Sequence, residues 1–255
     1  MRGLHPVAGI HSVRAALKFG GEGVAEVWLD RARQDRRTHE LAELAHQAGV
    51  AIRRVERDAL ERVAEGINHQ GVLGWVRVPA ARTDQDLDAL LDRLDAPPFL
   101  LLLDEVQDPH NLGACLRTAE AVGVHAVIAP KDRAVGLTPT VCKVASGAAE
   151  TLPYIQVTNL ARTMEALKAR GIWLTGTAGE AEIELYDADL GGPIGLVMGS
   201  EGTGLRRLTR EHCDRLVRLP MQGRVESLNV AVAAGVCLYE VLRQRSARPS
   251  LRSSG

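Results

Sequence analysis

Leu219-Pro220-Met221-Gln222-Gly223-Arg224-Val225-Glu226-Ser227-Leu228-Asn229 leads into the apolar run Val230 to Leu242, and the residues before it, 215–219, alternate as a strand does. The stretch therefore reads as strand, Pro/Gly-punctuated loop, then helix. Ser227 and Asn229 stand where a helix begins, and short polar side chains there cap orphan backbone N–H groups. A loop at the carboxyl end of a strand is also where open α/β sheets keep their ligand sites. Both readings stay open on this stretch alone.

Upstream, the same alternation repeats. Residues 99–103 are a near-continuous apolar run, the pattern of a parallel strand buried on both faces. Helical spacing follows over 112–122, then strand 125–129, helix 139–145, strand 152–157 and helix 160–170. Strands 172–177, 194–199 and 215–219 come next, and helix 230–244 closes the series. Strands alternating with helices give a parallel α/β sheet. Before it lies a smaller α/β unit, with helices over 9–19, 36–48 and 58–65 and strands over 24–29, 50–55 and 71–78. The expected domains are 1–79 and 99–245, joined by an acidic, Pro-rich linker, 80–98, that carries a short helix over 84–94. Residues 246–255 read as a disordered basic tail.

The composition is that of an ordinary globular protein, 45% hydrophobic and 25% charged over 255 residues. No apolar run is long enough to span a bilayer and the N-terminus has no signal core, so a cytoplasmic protein without a membrane partner is expected. Cys115, Cys142, Cys213 and Cys237 are widely spaced in apolar surroundings. They read as buried thiols, with no disulfide framework and no metal site. The net charge of −1 does not announce a nucleic-acid partner, but the first eighty residues are slightly basic and the remainder slightly acidic. Arg36 and Arg37 open a helix where the macrodipole disfavours cations, which favours a partner outside the chain such as phosphate.

Two more strand-end loops carry polar side chains. Asp104 to Arg117 (DEVQDPHNLGACLR) joins strand 99–103 to the next helix; Asn111 is placed to cap that helix, and Arg117 lies about 120° around it from Asn111. Val197-Met198-Gly199-Ser200-Glu201-Gly202-Thr203-Gly204-Leu205 has the order G-x-x-G-x-G, not the dinucleotide fingerprint G-x-G-x-x-G. A glutamate in such a loop repels a pyrophosphate and suits a cationic or hydroxyl-bearing ligand. That argues against a nicotinamide-dependent oxidoreductase. His110, His212 and Cys213 read as structural.

The order N-x-G-A-x-x-R-T-A, V-M-G-S-E-G-x-G-L and L-P-M-x-G-x-V-x-S-L-N-V-A-V-A resembles the three motifs of the SpoU family of RNA ribose 2′-O-methyltransferases. The likeness extends through Pro130-Lys131-Asp132-Arg133 and 144–150, and in the first unit through Gly9-Ile10-His11 and His69-Gln70-Gly71. It implies a six-stranded α/β domain with a C-terminal trefoil knot, S-adenosylmethionine as methyl donor, a homodimer, no metal, and a small N-terminal RNA-binding domain. The implied substrate is a guanosine ribose in the peptidyl-tRNA-binding loop of 23S rRNA. The alternatives are tRNA as substrate, or a non-catalytic RNA-binding or ribosome-assembly factor on the same fold. By resemblance the catalytic set is Arg117, Asn111, Glu201, Ser227 and Asn229, with Arg117 nearest the 2′-hydroxyl, as the family's proposed general base or equally as stabiliser of the developing alkoxide, and Glu201 placed to pair with it. The implied cofactor-binding residues are Thr177, Gly199, Leu219, Met221 and Leu228. Glu226 departs from the family, whose sequences often have a small polar residue there.

Overall fold

The structure is a computed structural model and describes residues 4–19 and 23–247. The chain begins β1 (Leu4–Ala8), α1 (Ile10–Phe19), β2 (Val24–Asp30), α2 (Arg36–Gln47), β3 (Ala51–Val55), α3 (Arg57–Ala64) and β4 (Val72–Arg77). It continues α4 (Asp84–Leu91), β5 (Phe99–Leu103), α5 (Pro109–Ala121), β6 (Ala126–Pro130), α6 (Pro139–Ala145), α7 (Ala148–Thr151) and β7 (Tyr154–Val157). It ends α8 (Leu160–Ala169), β8 (Trp173–Thr177), the two-residue β9 (Ile183–Glu184), β10 (Ile194–Met198), α9 (Arg207–His212), β11 (Arg215–Arg218) and α10 (Val230–Ala247). Two compact units result: Met1–Ala80 with Leu137–Thr151, and Ala81–Gly136 with Leu152–Gly255. The excursion carrying α6 and α7 thus groups with the first unit, a departure from the single boundary that the sequence suggests.

In the first unit the sheet order is β1-β4-β2-β3. Only β2 and β3 run parallel. One apolar cluster joins Val13 and Leu17 of α1 and Leu41 and Ala45 of α2 to Val27 and Leu29. Leu60 of α3 packs with Val55 and Leu73 in a second. Strand β1 has no counterpart in the sequence expectations, because Pro6 interrupts its pattern. It lies at the sheet edge, opposite Trp75, where a missing backbone N–H is tolerated.

The second unit is a sheet of order β7-β6-β5-β10-β8-β11-β9, parallel at every pairing. All five residues of β5 are buried, as a central strand covered on both faces requires. From β5 the chain steps outward through β6 and β7. It then crosses to β8 and leaves a slot between β5 and β8 that β10 fills later. Helix α4 is no free linker: Leu87 and Leu91 lie in the core cluster with Ile155, Leu160 and Met164. Helix α10 also outruns its expected end, and Arg245 donates to the carbonyls of Pro97, Pro98 and Gly192. The rest of the expected tail, 248–255, lies outside the described residues. The four cysteines are free thiols; three are buried, Cys213 is half-buried, and burial pushes each thiol up to about 12. Among the described residues no helix is long and apolar enough to cross a membrane.

One histidine ties β5 to β6. The Phe99 N–H donates to His125 Nδ1 at 2.9 Å, so this nitrogen must be unprotonated. Burial, and then the Arg245 charge, hold the His125 pKa below its ordinary 6.5. The unfolded chain takes up a proton at that position before the folded chain does, so stability is full above 6.5 and falls as pH drops through the lowered folded pKa. Urea unfolding at pH 7.5 and 5.5 is expected to show a loss at the lower pH. In His125→Asn, whose Oδ1 can accept from Phe99, that loss is smaller.

Candidate active site

Three loops follow the carboxyl ends of β5, β10 and β11, and the path of the middle one is set by close backbone contact. A Cβ on Gly199 would stand 2.1 Å from the Gly204 carbonyl carbon and 2.4 Å from the Leu205 nitrogen, so no side chain fits there. Ser200 and Gly204 exchange backbone hydrogen bonds of 3.2 and 3.0 Å, and the Ser200 and Thr203 hydroxyls pair at 2.6 Å. Gly202, at φ +83°, makes the left-handed turn between them. The loop is anchored at its far end by Asp104, a fully buried carboxylate at the end of β5. It accepts from the Arg206 backbone N–H at 3.0 Å and from Arg206 Nε at 2.7 Å.

This fold-back carries Glu201 to the other two loops. Glu201 Oε1 accepts from Asn111 Nδ2 at 3.2 Å, from Asn229 Nδ2, and from the Val230 backbone N–H at 3.3 Å. Asn229 Nδ2 also donates to Asn111 Oδ1 at 2.9 Å. Asn229 Oδ1 meanwhile caps α10, accepting from the Ala231 and Val232 N–H groups. Asn229 therefore caps α10 with its side-chain oxygen and joins the Glu201 node with its amide nitrogen. Asn111 does not cap α5. Asp108 does so, accepting from the His110 and Asn111 N–H groups with Pro109 in the first turn. The helix starts earlier than expected, and the Asn111 amide is released toward Glu201.

Beside this node lies a cavity of about 430 Å³. Thr177, Gly199, Leu219, Met221 and Leu228 all line it, with Glu201, Glu226 and Ser227. Asn111, Asn229 and Arg117 do not. Arg117 is exposed on α5 and forms no hydrogen bond or ion pair with another described residue. The expected pairing of Arg117 with Glu201 is absent, because two amides and a backbone N–H already occupy the carboxylate oxygen that faces α5. Ser227 is exposed and its hydroxyl likewise has no partner among the described residues.

The loop after β8 had no place among the expected site residues apart from Thr177. Its Ala178, Gly179 and Glu180 line the cavity, and Glu180 pairs with Arg210. Backbone hydrogen bonding and then the Arg210 guanidinium hold the Glu180 carboxyl below the usual range. Small residues after an apolar strand were the available signal. The cavity thus carries three carboxylates, Glu180, Glu201 and Glu226, against one guanidinium, Arg210.

Comparison with known proteins agrees with this arrangement. The model of the SpoU rRNA methylase family matches residues 98–239, more than half of the chain. The chain belongs to the SpoU rRNA methylase family. A second model, RNA 2′-O ribose methyltransferase substrate binding, matches residues 6–79 of this SpoU protein. It is 55% identical to the 23S rRNA (guanosine-2′-O-)-methyltransferase RlmB of Pseudomonas syringae pv. tomato, over 97% of this chain and 99% of the relative. It is 51% identical to the RlmB of Escherichia coli K12, over 94% of this chain and 98% of the relative. Among solved structures it resembles the SpoU methyltransferase AviRb from Streptomyces viridochromogenes in complex with AdoMet, with a TM-score of 0.77 and 28% identity over 96% of this chain and 92% of that one.

The close approach at Gly199 makes a direct prediction. Gly199→Ala forces the 199–205 loop to move, which is expected to cost about 1–3 kcal/mol of stability. Thermal unfolding beside wild type measures it, and an unchanged melting temperature would contradict the backbone contact described.

Proposed function

We propose that this chain transfers a methyl group from S-adenosylmethionine to the ribose 2′-oxygen of a guanosine in the peptidyl-tRNA-binding loop of 23S rRNA. One observation carries the reading: the SpoU motifs meet beside an open cleft of about 430 Å³ whose lining carries more carboxylates than cations. That volume lies in the range of about 300–1,000 Å³ of small-molecule sites. Its chemistry fits the donor. Leu219, Met221 and Leu228 offer apolar walls, the bare backbone at Gly199 admits close approach, and the carboxylates complement a sulfonium and an ammonium. The same lining repels the pyrophosphate of a dinucleotide.

When bound, S-adenosylmethionine supplies an electrophilic methyl on a cationic sulfur, so neither a metal nor a covalent enzyme intermediate is required. The protein's tasks are alignment and stabilisation of the developing alkoxide. Thr177, Gly199, Leu219, Met221 and Leu228 hold the donor. Glu201, Asn111 and Asn229 fix the three loops in register, and Ser227 shapes the nucleotide side of the cavity. Arg117, exposed and unpaired, meets the ribose and its neighbouring phosphate. A guanidinium keeps its proton near neutral pH, so Arg117 acts by donating to the 2′-oxygen while the hydroxyl proton passes to solvent water at this exposed position.

The chain works in the cytoplasm as a homodimer whose knot regions face each other. Exposed Val232 and Tyr239, about two turns apart on the same face of α10, support the dimer. The late insertion of β10 between β5 and β8, and the fold-back at Gly199, support a trefoil knot through the last third of the second unit. Transfer RNA is the less favoured substrate, since the RlmB relatives match over nearly their whole length, including the first unit.

The test is transfer from labelled S-adenosylmethionine to unmodified 23S rRNA and to bulk tRNA. Label enters rRNA. Arg117→Ala lowers turnover by about 10²–10³, the effect of removing one oxyanion donor, while cofactor affinity stays within twofold. Arg117→Lys recovers only part, because the planar fork is lost. Label in tRNA alone would overturn the substrate, and full activity in Arg117→Ala would overturn its role.

A further inference from the structure

Three loops meet at one end of the first unit, and the reaction above uses none of them. The Gly9 N–H donates to the Val72 carbonyl at 3.1 Å, and the Ile10 N–H to Gln70 Oε1 at 3.4 Å. The Asp30 N–H donates to the Gly71 carbonyl at 2.9 Å. Arg33 is clamped between them, its Nε on Asp35 and its Nη1 on the Gln70 carbonyl. These bonds make a rigid platform from sequence positions about sixty residues apart.

The platform is cationic. Arg31, Arg33, Arg36 and Arg37 stand within seven residues, with Asp35 the one acid among them. Arg31 and Arg36 have exposed partners, Glu56 and Glu40, in surface ion pairs worth little and easily exchanged. Arg37 is exposed and has no partner among the described residues. Exposed Ile67, on the neighbouring loop, adds an apolar surface on which a base can rest. Fixed guanidinium groups beside an apolar contact are the chemistry that recognises a folded RNA backbone.

We infer that this loop end, with Arg37 and the clamped Arg33 at its centre, grips phosphates of the substrate RNA. The inference rests on the rRNA reading and deepens it, since the first unit matches the substrate-binding model without any residue being assigned. Arg33 is held by the chain and sets the position; Arg37, with no partner among the described residues, makes the contact that salt competes with.

The experiment uses the full chain, a 23S rRNA transcript, filter binding across salt concentrations, and steady-state methylation. Arg37→Ala is expected to weaken transcript binding about tenfold and to lower the slope of log affinity against log salt by about one. KM for RNA rises with it, kcat at saturating RNA changes far less, and Arg37→Lys restores most of the affinity. Arg77→Ala, an equally exposed arginine at the opposite end of β4, serves as the control and leaves the slope unchanged. Equal slopes in wild type and Arg37→Ala, or the same loss in Arg77→Ala, would overturn the inference. So would a loss seen only with protein-bearing ribosomal particles, which would make the partner a protein. Methyl transfer indifferent to Arg37→Ala sinks this inference alone. Arg37-dependent binding without methyl transfer supports it and sinks the reaction.

Discussion

The site depends on two stretches of backbone lying too close for any side chain between them. At Gly199, just past β10, the backbone lies against that of Gly204 and Leu205, and the only side chain compatible with that contact is none. Two residues on, Arg206 returns to Asp104 at the end of the central strand. Asp104 is fully buried and ionised carboxylates are costly there without a partner, whereas Arg206 keeps contact with water. The pair therefore holds the loop against β5 at little cost to the guanidinium. With both ends fixed, the tip of the loop has one place to go. It delivers Glu201 to Asn111, ninety residues earlier, and to Asn229, twenty-eight later.

That delivery separates two kinds of chemistry. On one side of the node is an open cleft with apolar walls and surplus negative charge. On the other is an exposed arginine with no partner among the described residues. A cationic methyl donor and a polyanionic acceptor call for opposite surroundings, and the node of two amides and one carboxylate stands between them. Glu201 is spent on holding loops together. It makes no ion pair with Arg117, so no contact among the described residues competes with the RNA contact proposed for that guanidinium.

Much of this was legible in the residues, for identifiable reasons. The five apolar residues of β5 and the alternation after it announced a parallel sheet, because a strand buried on both faces needs no polar side. The three motifs announced the cavity, since Gly199, Leu219, Met221 and Leu228, picked out by them, all line it. Strand β1 was missed because Pro6 hides an edge strand. The Asp108 cap was missed because Asn111 is an equally good cap by type, and only geometry tells which oxygen reaches the free N–H groups. Helix α4 read as linker because its exposed face is acidic; Leu87 and Leu91 are two residues in a polar run, too few to signal a buried stripe. The insertion of β10 between β5 and β8 follows no local rule, since nothing within a strand's own residues says which later strand will pair beside it.

The most direct test of the central claim is the chemical identity of the methylated product. Ribosomal RNA labelled by this protein would be digested with alkali, which cleaves only where a free 2′-hydroxyl can attack the adjoining phosphate. Label retained in an alkali-resistant dinucleotide beginning with guanosine is the result this account predicts. Label released as a mononucleotide would place the methyl on a base and contradict the account.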